Sequence, residues 1–388
     1  MKKQQMSSIC VENGLQLKSV RFRLRMNIIR LALSVYRSPI TSFQVLLSVI
    51  KKKRSIQGDN GNAKFAYANG RYFWTIASTG WPSKAFDKFI LGELNKVKPY
   101  GGKEHILQTM IFSITSRCPL KCEHCYEWNN LSAKETLSLD DLSLIMRKFQ
   151  DYGICNIQFS GGEPLTRFED LLYLIKNADK DTEMWILTSG FGLTSEKAQL
   201  LQQAGLSGVV ISLDHWDESK HNEFRKHKDS YKWAMEAAHN AHEADLVVAF
   251  SLCAGREFVS EDNLNRYMQL AKDSDVSIVR ILEPRKTGHY EGQDIELNQE
   301  QIAILDRFYL KTMSDPLYKK MPILEYVGHH QRKIGCFGGG DRYLYVDSKA
   351  DVHACPFCQG AVGNALTDPL TPLIERLKQI GCHKFDTK

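Results

Sequence analysis

The strongest constraint on the fold is a regular alternation, between residues 106 and 313, of short apolar β-rich runs with segments of helical periodicity. Such alternation predicts a parallel sheet covered by helices, because each helix returns the chain to begin the next parallel strand. Six such units predict an α/β fold, a partial (β/α)6 barrel, with functional groups at the carboxyl ends of the strands. The predicted strands are 106–116, 155–160, 183–188, 208–213, 247–253 and 276–282, and the predicted helices are 139–152, 169–178, 195–204, 231–244, 262–273 and 299–313.

The chain, at 388 residues, is long enough for one large domain with smaller parts on either side. Residues 1–54 predict a basic amphipathic arm, and residues 55–104 predict an N-terminal extension with a short hairpin and a helix near 83–97. We assign residues 105–320 to the barrel. Gly, Cys and Pro become frequent after about residue 320, which indicates a small cysteine-rich C-terminal domain over residues 321–388.

Positive charge is concentrated in the first 54 residues, which hold twelve Lys or Arg and one acid, a net charge of +11. The whole chain carries +6, so residues 55–388 carry −5. A nucleic-acid groove needs basic residues along its contact surface, so we expect no nucleic-acid partner for the body. Residues 26–54 mix apolar side chains with a basic run at 51–54, which is typical of peripheral contact with an anionic membrane. A basic helix docked on the acidic body, or a partly disordered arm, explains the same pattern equally well.

The cysteines indicate metal ligation rather than a disulfide framework. A secreted disulfide scaffold would begin with a clean cleavable signal, and the first apolar stretch is instead interrupted by Arg30 and Arg37. Seven of the ten cysteines form two tight groups, at 118–125 and 336–382. This clustering predicts metal sites in the reducing cytoplasm, with residues 26–54 as a candidate contact with the inner face of the membrane.

The first cysteine group, Cys118, Cys122 and Cys125, has the spacing C-x3-C-x2-C and follows the first predicted strand directly. Three thiolates in one short loop can hold three corners of a cubane cluster and leave the fourth iron open to a small molecule. On spacing alone, a zinc site or a redox-active thiol pair remains an alternative. A structural zinc ion would need a fourth ligand, for which His124 is the nearest candidate.

This spacing after the first strand of a β/α array resembles the signature of the radical SAM superfamily, with His124 in the position usually filled by an aromatic residue. The resemblance implies a [4Fe–4S] cluster whose open iron binds the amino and carboxylate groups of S-adenosyl-L-methionine. One electron, from a donor such as a flavodoxin or ferredoxin, would cleave the sulfonium to methionine and a 5′-deoxyadenosyl radical. That radical would abstract a hydrogen from the substrate, so the cofactor supplies the difficult chemistry.

The end of the second predicted strand agrees with this resemblance. It reads Gly161-Gly162-Glu163-Pro164, which resembles the GGEP turn whose backbone and carboxylate hold the methionyl amino group. The residue types suit that role, because paired glycines allow close backbone approach and a carboxylate pairs with an ammonium.

Later strand ends carry further matches. The third strand ends at Ser189, where the family has Asn, and the fourth ends in Ser212-Leu-Asp214, although Asp214 is equally suited to cap a helix. Arg225 completes an H-x-x-x-R motif, and its guanidinium suits the cofactor carboxylate. Residues 283–288, at the end of the sixth strand, resemble the segment found there in relatives. No residue can be assigned as a catalytic acid or base. The resemblance assigns cofactor binding to His124, Gly161, Gly162, Glu163, Pro164, Ser189, Ser212 and Arg225.

The second cysteine group comprises Cys336, Cys355, Cys358 and Cys382, with two predicted strands between the first two cysteines. Four thiolates spread in this way can bind zinc or a cluster. The segment resembles the SPASM auxiliary-cluster domain or its shortened twitch form, with Ala350 at a position usually filled by Gly. Since the two-cluster form needs about seven cysteines, the resemblance implies one auxiliary [4Fe–4S] cluster. Whether Cys382 is its fourth ligand stays open.

The resemblance predicts a radical SAM enzyme of the oxidoreductase or maturase type. Peptide modification is the leading expectation, because it is the commonest role of relatives with this architecture. Because the N-terminal arm is basic and apolar, a lipid or other membrane-associated small molecule is the alternative substrate. A non-catalytic metal-binding adaptor is the other alternative, although it would not need the GGEP turn or Arg225.

Overall fold

The computed structural model describes residues 14–57, 64–102, 107–336 and 338–380. The N-terminal part consists of α1 (Gly14–Tyr36), α2 (Pro39–Gln57), β1 (Ala66–Ala68), β2 (Arg71–Phe73) and α3 (Lys84–Val97). None of the described helices is long and apolar enough to cross a bilayer.

The alternating part follows, in which strands and helices take turns along the chain. Its first half contains β3 (Thr109–Ser113), α4 (Leu139–Tyr152), β4 (Asn156–Ser160), α5 (Phe168–Lys176), β5 (Glu183–Thr188), α6 (Ser195–Ala204) and β6 (Gly208–Ser212). Its second half contains α7 (Glu218–Arg225), α8 (Ser230–Glu243), β7 (Val247–Cys253), α9 (Glu261–Asp273), β8 (Ile278–Leu282), α10 (Gln299–Ser314), β9 (Ile323–Tyr326) and α11 (Val327–Ile334). The chain then continues through β10 (Tyr343–Val346), β11 (Asp351–Cys355), β12 (Cys358–Asn364) and α12 (Leu370–Ile380).

One open sheet joins β3 to β12. Strands β3 to β9 are neighbours in chain order and all pair in parallel, which confirms the predicted α/β fold with a partial barrel. Strand β10 pairs in parallel with the other side of β3, and β11 and β12 follow as antiparallel strands. The described strands β9 to β12, all after residue 320, therefore add to both ends of the same sheet.

Burial explains why these segments fold as they do. Every residue of β4 is buried, as expected for a parallel strand covered on both sides. Helices such as α4 and α9 direct apolar residues at helical spacing, including Leu142, Ile145 and Phe149 of α4, into the core that they share with the strands.

The elements that the sequence did not predict are short or lack a clear pattern. Helix α7 is eight residues long and mostly charged or polar, and β9 has only four residues. Helix α11 is only eight residues long, and β12 contains two glycines and has no buried residue. Strand β3 is shorter than predicted, because the chain leaves the sheet after Ser113 to form the cysteine-containing loop.

The segment from β1 to residue 80 covers the amino-terminal ends of the barrel strands. Phe73 and Ile76 are buried against residues near the starts of β5 and β7, including Trp185 and Val247. Glu183, buried at the start of β5, accepts hydrogen bonds from the backbone of Gly80 and the indole of Trp185 and pairs with Arg71. The amino-terminal ends of these strands are therefore covered, and a functional site is expected at their carboxyl ends.

Helices α1 and α2 pack on α3, so the docking of a basic helix on the body is observed. Ala32 of α1 and Val45 of α2 are buried with Leu94 of α3. The hydroxyl of Tyr36 donates to the carbonyl of Leu94 at 2.9 Å. The side chains of the basic run beyond Lys51 lie outside the described residues.

A capping box begins α4 and predicts a measurable stability effect. The Ser138 hydroxyl accepts from the backbone of Asp141, whose carboxylate accepts from the backbone of Ser138. We expect Ser138→Ala to lower the free energy of unfolding by about 1 kcal/mol in a urea titration. Ser143→Ala, in the same helix, is the control and should cost less than about 0.5 kcal/mol, because Ser143 only bonds back to Leu139. Equal losses in both variants would refute a capping effect.

Candidate active site

The loop after β3 is joined to the turn after β4 by backbone hydrogen bonds. The amide of Gly162 donates to the carbonyl of Thr115 at 2.8 Å, and the amide of Glu163 donates to the carbonyl of Arg117 at 2.7 Å. Since Cys118 follows directly, these bonds hold the first cysteine against the Gly-Gly turn. The two segments meet at the carboxyl end of the sheet, where the sequence predicted the site.

Gly161 and Gly162 make this approach possible. Gly161 has a φ of 140°, in the region that favours glycine. A Cβ on Gly161 would overlap the carbonyl oxygen of Thr115, and one on Gly162 would overlap the carbonyl oxygen of Arg117. The paired glycines therefore serve the contact with the cysteine loop itself, a role that the motif alone did not reveal.

The cysteine loop is also held from the other side of the site. The amide of Glu123 donates to the carbonyl of Phe224 in α7, and the ring of His124 stacks on Phe224 at 4.9 Å. The amide of His289 donates to the carbonyl of Cys125 at 3.0 Å, and its ring stacks on Trp128. The segments after β6 and β8 thus fix the position of the loop.

The three cysteines lie in a buried environment that fits an iron–sulfur cluster. Cys122 is buried, and Cys118 and Cys125 are half-buried. Burial raises the pKa of Cys118 and of Cys125 to about 12, so without a cation these groups are neutral thiols. Iron supplies the positive charge that converts such thiols to ligating thiolates, and three thiolates in one loop are a donor set typical of a cubane.

His124 is an aromatic spacer in the described structure. Burial lowers its pKa to about 4, so the ring is neutral at pH 7. Its Nδ1 is buried and has no hydrogen-bond partner within the described part of the chain, which leaves that atom available to a bound group.

Among the described residues, no three His, Cys, Asp or Glu side chains converge as they would around a single metal ion.

Arg225 connects the cysteine loop to the fourth strand end. Its Nε donates to Oδ2 of Asp214 at 2.6 Å, and its guanidinium also donates to Sγ of Cys122 at 3.5 Å. Burial alone would raise the pKa of Asp214, but Arg225 holds that pKa below its ordinary value. Burial also raises the pKa of Cys122, and Arg225 opposes that rise. Asp214 is therefore the partner of Arg225, and Asp217, not Asp214, caps α7.

Glu163 is fixed by donors from the third strand end. Its carboxylate accepts from the backbone and the hydroxyl of Ser189 at 2.8 and 2.5 Å, and from the hydroxyl of Thr188 at 2.8 Å. It also accepts from the backbone of Leu165 at 3.1 Å. Burial raises the pKa of Glu163, and these hydrogen bonds oppose the rise. Ser189 thus positions Glu163, a pairing that the separate motifs did not predict.

Pro164 and Ser212, the other predicted cofactor contacts, lie at the same end of the sheet. Pro164 is buried at the first position of a short helical turn after Glu163. Ser212 is the last residue of β6 and is partly exposed. The residues of the resemblance are therefore gathered at the carboxyl ends of β3 to β6.

Three of the four cysteines in the second group also lie together. Cys355 and Cys358 face each other across the β11–β12 pair. The amide of Gly338 donates to Sγ of Cys336 at 3.3 Å, and a Cβ on Gly338 would lie 3.4 Å from Cβ of Cys355. The hydrogen bond to Cys358 and burial raise the pKa of Cys355, and the charge of Cys336 adds to the rise. Cys382 lies outside the described residues.

The two cysteine groups are in contact through Tyr126, which follows Cys125. Its ring packs edge-on against Phe357, between Cys355 and Cys358, with centroids 6.1 Å apart. The side-chain amide of Gln359 donates to the carbonyl of Tyr126 at 2.8 Å. No local sequence signal connects residues so distant along the chain, so this contact could only be found from the structure.

Comparison with known proteins agrees with this geometry over part of the chain. Residues 112–271 match the model described as the Radical SAM superfamily. The chain is 30% identical over 206 residues to GTP 3′,8-cyclase of Aliarcobacter butzleri, covering 51% of this chain and 62% of that protein. It is 29% identical over 176 residues to PqqA peptide cyclase of Bradyrhizobium diazoefficiens, covering 44% and 45%. The chain thus spans less than two thirds of the length of these curated relatives.

Solved structures share the fold. SuiB of Streptococcus suis bound to the precursor peptide SuiA matches with a TM-score of 0.60 and 13% identity, over 77% of this chain and 72% of that one. SuiB bound to S-adenosylmethionine matches with a TM-score of 0.57 and 13% identity, over 74% and 73%. The likeness supports the partial barrel.

The Gly-Gly contact predicts a selective loss of iron. We expect Gly162→Ala to destabilise the chain by about 1–3 kcal/mol, because its Cβ would overlap the Arg117 carbonyl. We also expect it to bind less iron after anaerobic reconstitution, because the cysteine loop must move. Gly255→Ala is the matched control, since a Cβ there meets nothing within 4 Å and its iron content should stay at the unmutated level. Full iron binding by Gly162→Ala would contradict this account of the turn.

Proposed function

We propose that this chain is a radical SAM iron–sulfur enzyme that abstracts a hydrogen from a peptide substrate, and the match of residues 112–271 to the Radical SAM superfamily model supports this. The observation that carries the proposal is the cysteine loop held between the Gly-Gly turn and Arg225 at the carboxyl end of the sheet. The similarity to PqqA peptide cyclase, and the fold shared with SuiB in its complex with a precursor peptide, support a peptide as substrate.

Cys118, Cys122 and Cys125 would ligate the [4Fe–4S] cluster. When bound, the cluster and S-adenosylmethionine supply a one-electron cleavage that yields the 5′-deoxyadenosyl radical. The chain's own residues hold and shield that chemistry. Arg225 places a buried positive charge beside Cys122, which favours the thiolate, and Asp214 fixes the direction of the guanidinium.

The Gly161–Gly162 turn and Glu163 would receive the amino group of S-adenosylmethionine. A carboxylate held by four donors cannot turn away from a cation, and Ser189 contributes two of those donors. Ser212, Pro164 and His124 would complete the surroundings of the cofactor. His124 supports this assignment through its buried ring and its Nδ1, which lacks a partner in the described chain.

Cys336, Cys355 and Cys358, with Cys382 as the fourth candidate, would hold an auxiliary [4Fe–4S] cluster. The contact between Tyr126 and Phe357 supports a role for this second group close to the first. A full set of four ligands would make it an electron carrier, and three would leave an iron open to substrate. The initial electron would come from a small donor such as a flavodoxin or ferredoxin. This division keeps the expected bounds of 105–320 for the barrel and 321–388 for the auxiliary-cluster domain, except that β9 pairs in parallel with β8 and extends the barrel.

A membrane-associated small molecule is the second candidate substrate. Apolar side chains stand exposed on α1 and α2, including Phe22 and Phe43, and this observation favours a reaction near a lipid surface. A short peptide encoded beside the gene and a lipid extract can be offered in parallel to the reduced enzyme. Mass spectrometry then shows which of the two is modified, and modification of the lipid alone would reject the peptide.

Cleavage of S-adenosylmethionine tests the catalytic proposal directly. The anaerobically reconstituted and reduced chain should release 5′-deoxyadenosine, measured by liquid chromatography. We expect Cys122→Ala to fall to the background rate, because one corner of the cluster loses its thiolate. Cys155→Ala is the matched control and should retain activity. Cys155 is buried just before the amino-terminal end of β4, with its thiol on the carbonyl of Gln108, and belongs to neither cysteine group. A filled cluster that releases no 5′-deoxyadenosine would instead support the metal-binding adaptor.

A further inference from the structure

Large exposed apolar side chains are concentrated on α1 and α2. Of the fourteen such residues in the described chain, eight lie on these two helices. The most exposed of the eight are Ile40, Phe22 and Phe43, at 73%, 64% and 63%. Single exposed apolar residues are ordinary on protein surfaces, but a concentration of this kind marks an interaction site.

The eight residues form one stripe on each helix. On α1 the spacing is i, i+4, i+7, i+11, and on α2 it is i, i+3, i+7, i+10, so each set occupies a single helix face. We call these two sets the outer face. It consists of Phe22, Met26, Ile29 and Leu33 on α1 and of Ile40, Phe43, Leu47 and Ile50 on α2.

The outer face is separate from the faces that hold the helices on the body. Val20 and Leu31 of α1, and Val45 of α2, are buried on the opposite sides of their helices. Both helices are therefore apolar on two sides, whereas a helix that only packs on the body would present polar residues to solvent. The outward stripes are not needed for the packing on α3.

The charge of the two helices narrows the choice of partner. Residues 14–57 contain ten Lys or Arg and no Asp or Glu. Lys18 and Arg25 lie within about 60° of the α1 stripe at 100° per residue, and both are exposed. A second copy would set one strongly basic surface against another, which opposes self-association. An anionic bilayer instead accepts apolar side chains at its interface and attracts the surrounding basic residues.

We infer that the outer face of α1 and α2 docks on the surface of an anionic lipid bilayer. The stripes lie at the headgroup boundary, and Lys18, Arg25 and Lys51 lie near the lipid phosphates. This inference rests on the exposed side chains and the charge alone and holds whether or not the proposed reaction is correct. It places the body of the protein against the membrane surface without a spanning segment among the described helices.

Sedimentation of the full chain with vesicles tests the inference. We expect the chain to sediment with vesicles that contain phosphatidylglycerol, more weakly as salt is added, and poorly with phosphatidylcholine alone. The triple variant Phe22→Ser, Ile40→Ser, Phe43→Ser should bind at least about tenfold more weakly, because three exposed apolar side chains no longer enter the interface. Lys18→Gln with Arg25→Gln should weaken binding to the anionic vesicles only.

The matched control is the double variant Leu310→Ser, Leu317→Ser. These residues are exposed at 50% and 81% but lie on α10 and in the turn after it rather than on α1 or α2, so this variant should bind vesicles as the unmutated chain does. Circular dichroism and release of 5′-deoxyadenosine in solution should be the same for all of these variants and the unmutated chain, since the substituted side chains are exposed and none belongs to the candidate active site.

Three outcomes would overturn the inference. The first is no binding of the unmutated chain to anionic vesicles, and the second is equal binding by the triple variant. The third is a dimer in analytical ultracentrifugation that the triple variant dissociates while vesicles capture neither protein, which would assign the outer face to a second copy. A chain that binds vesicles but releases no 5′-deoxyadenosine would reject the proposed reaction and leave the lipid contact intact.

Discussion

The close approach of the loop after β3 to the turn after β4 determines the geometry of the whole candidate site. Two backbone hydrogen bonds, from Gly162 and Glu163, hold the loop where Cys118 begins the cysteine group. The approach is possible only because neither glycine carries a Cβ. The same turn places Glu163 where the third strand end can bind it, so one short peptide segment orients both the thiols and the carboxylate.

Charge is arranged around this contact in a consistent way. Three cysteine thiolates at buried or half-buried positions and two buried carboxylates would be costly together without positive charge. Within the described chain, Arg225 supplies it next to Cys122, and Asp214 fixes its direction. Glu163 is stabilised differently, by four hydrogen-bond donors, and no cation is paired with it among the described residues. The Arg225 cation suits the negative charge of cysteine thiolates, and the oriented Glu163 carboxylate suits the proposed contact with an ammonium group.

The sequence predicted the repetitive part of this structure well and the contacts between distant segments poorly. Long strands and helices with a clear period, such as α4 and β7, lie within a residue or two of their predicted bounds, because their pattern reflects burial directly. Helix α7 was missed, because a mostly polar eight-residue helix has no such period, although it carries Arg225. The pairing of Ser189 with Glu163, and of Tyr126 with Phe357, depends on strand order and loop paths, which no local motif encodes.

The parallel pairing of β10 with β3 has a consequence for the order of folding. Tyr343 lies beside Thr109, so one edge of the strand that leads into the cysteine loop is completed by a segment that is synthesised long after that strand. Until that segment emerges from the ribosome, one edge of β3 exposes unpaired backbone N–H and C=O groups, which can pair with another strand. That edge of the nascent barrel is therefore exposed to wrong pairing until β10 has been synthesised and has paired with β3.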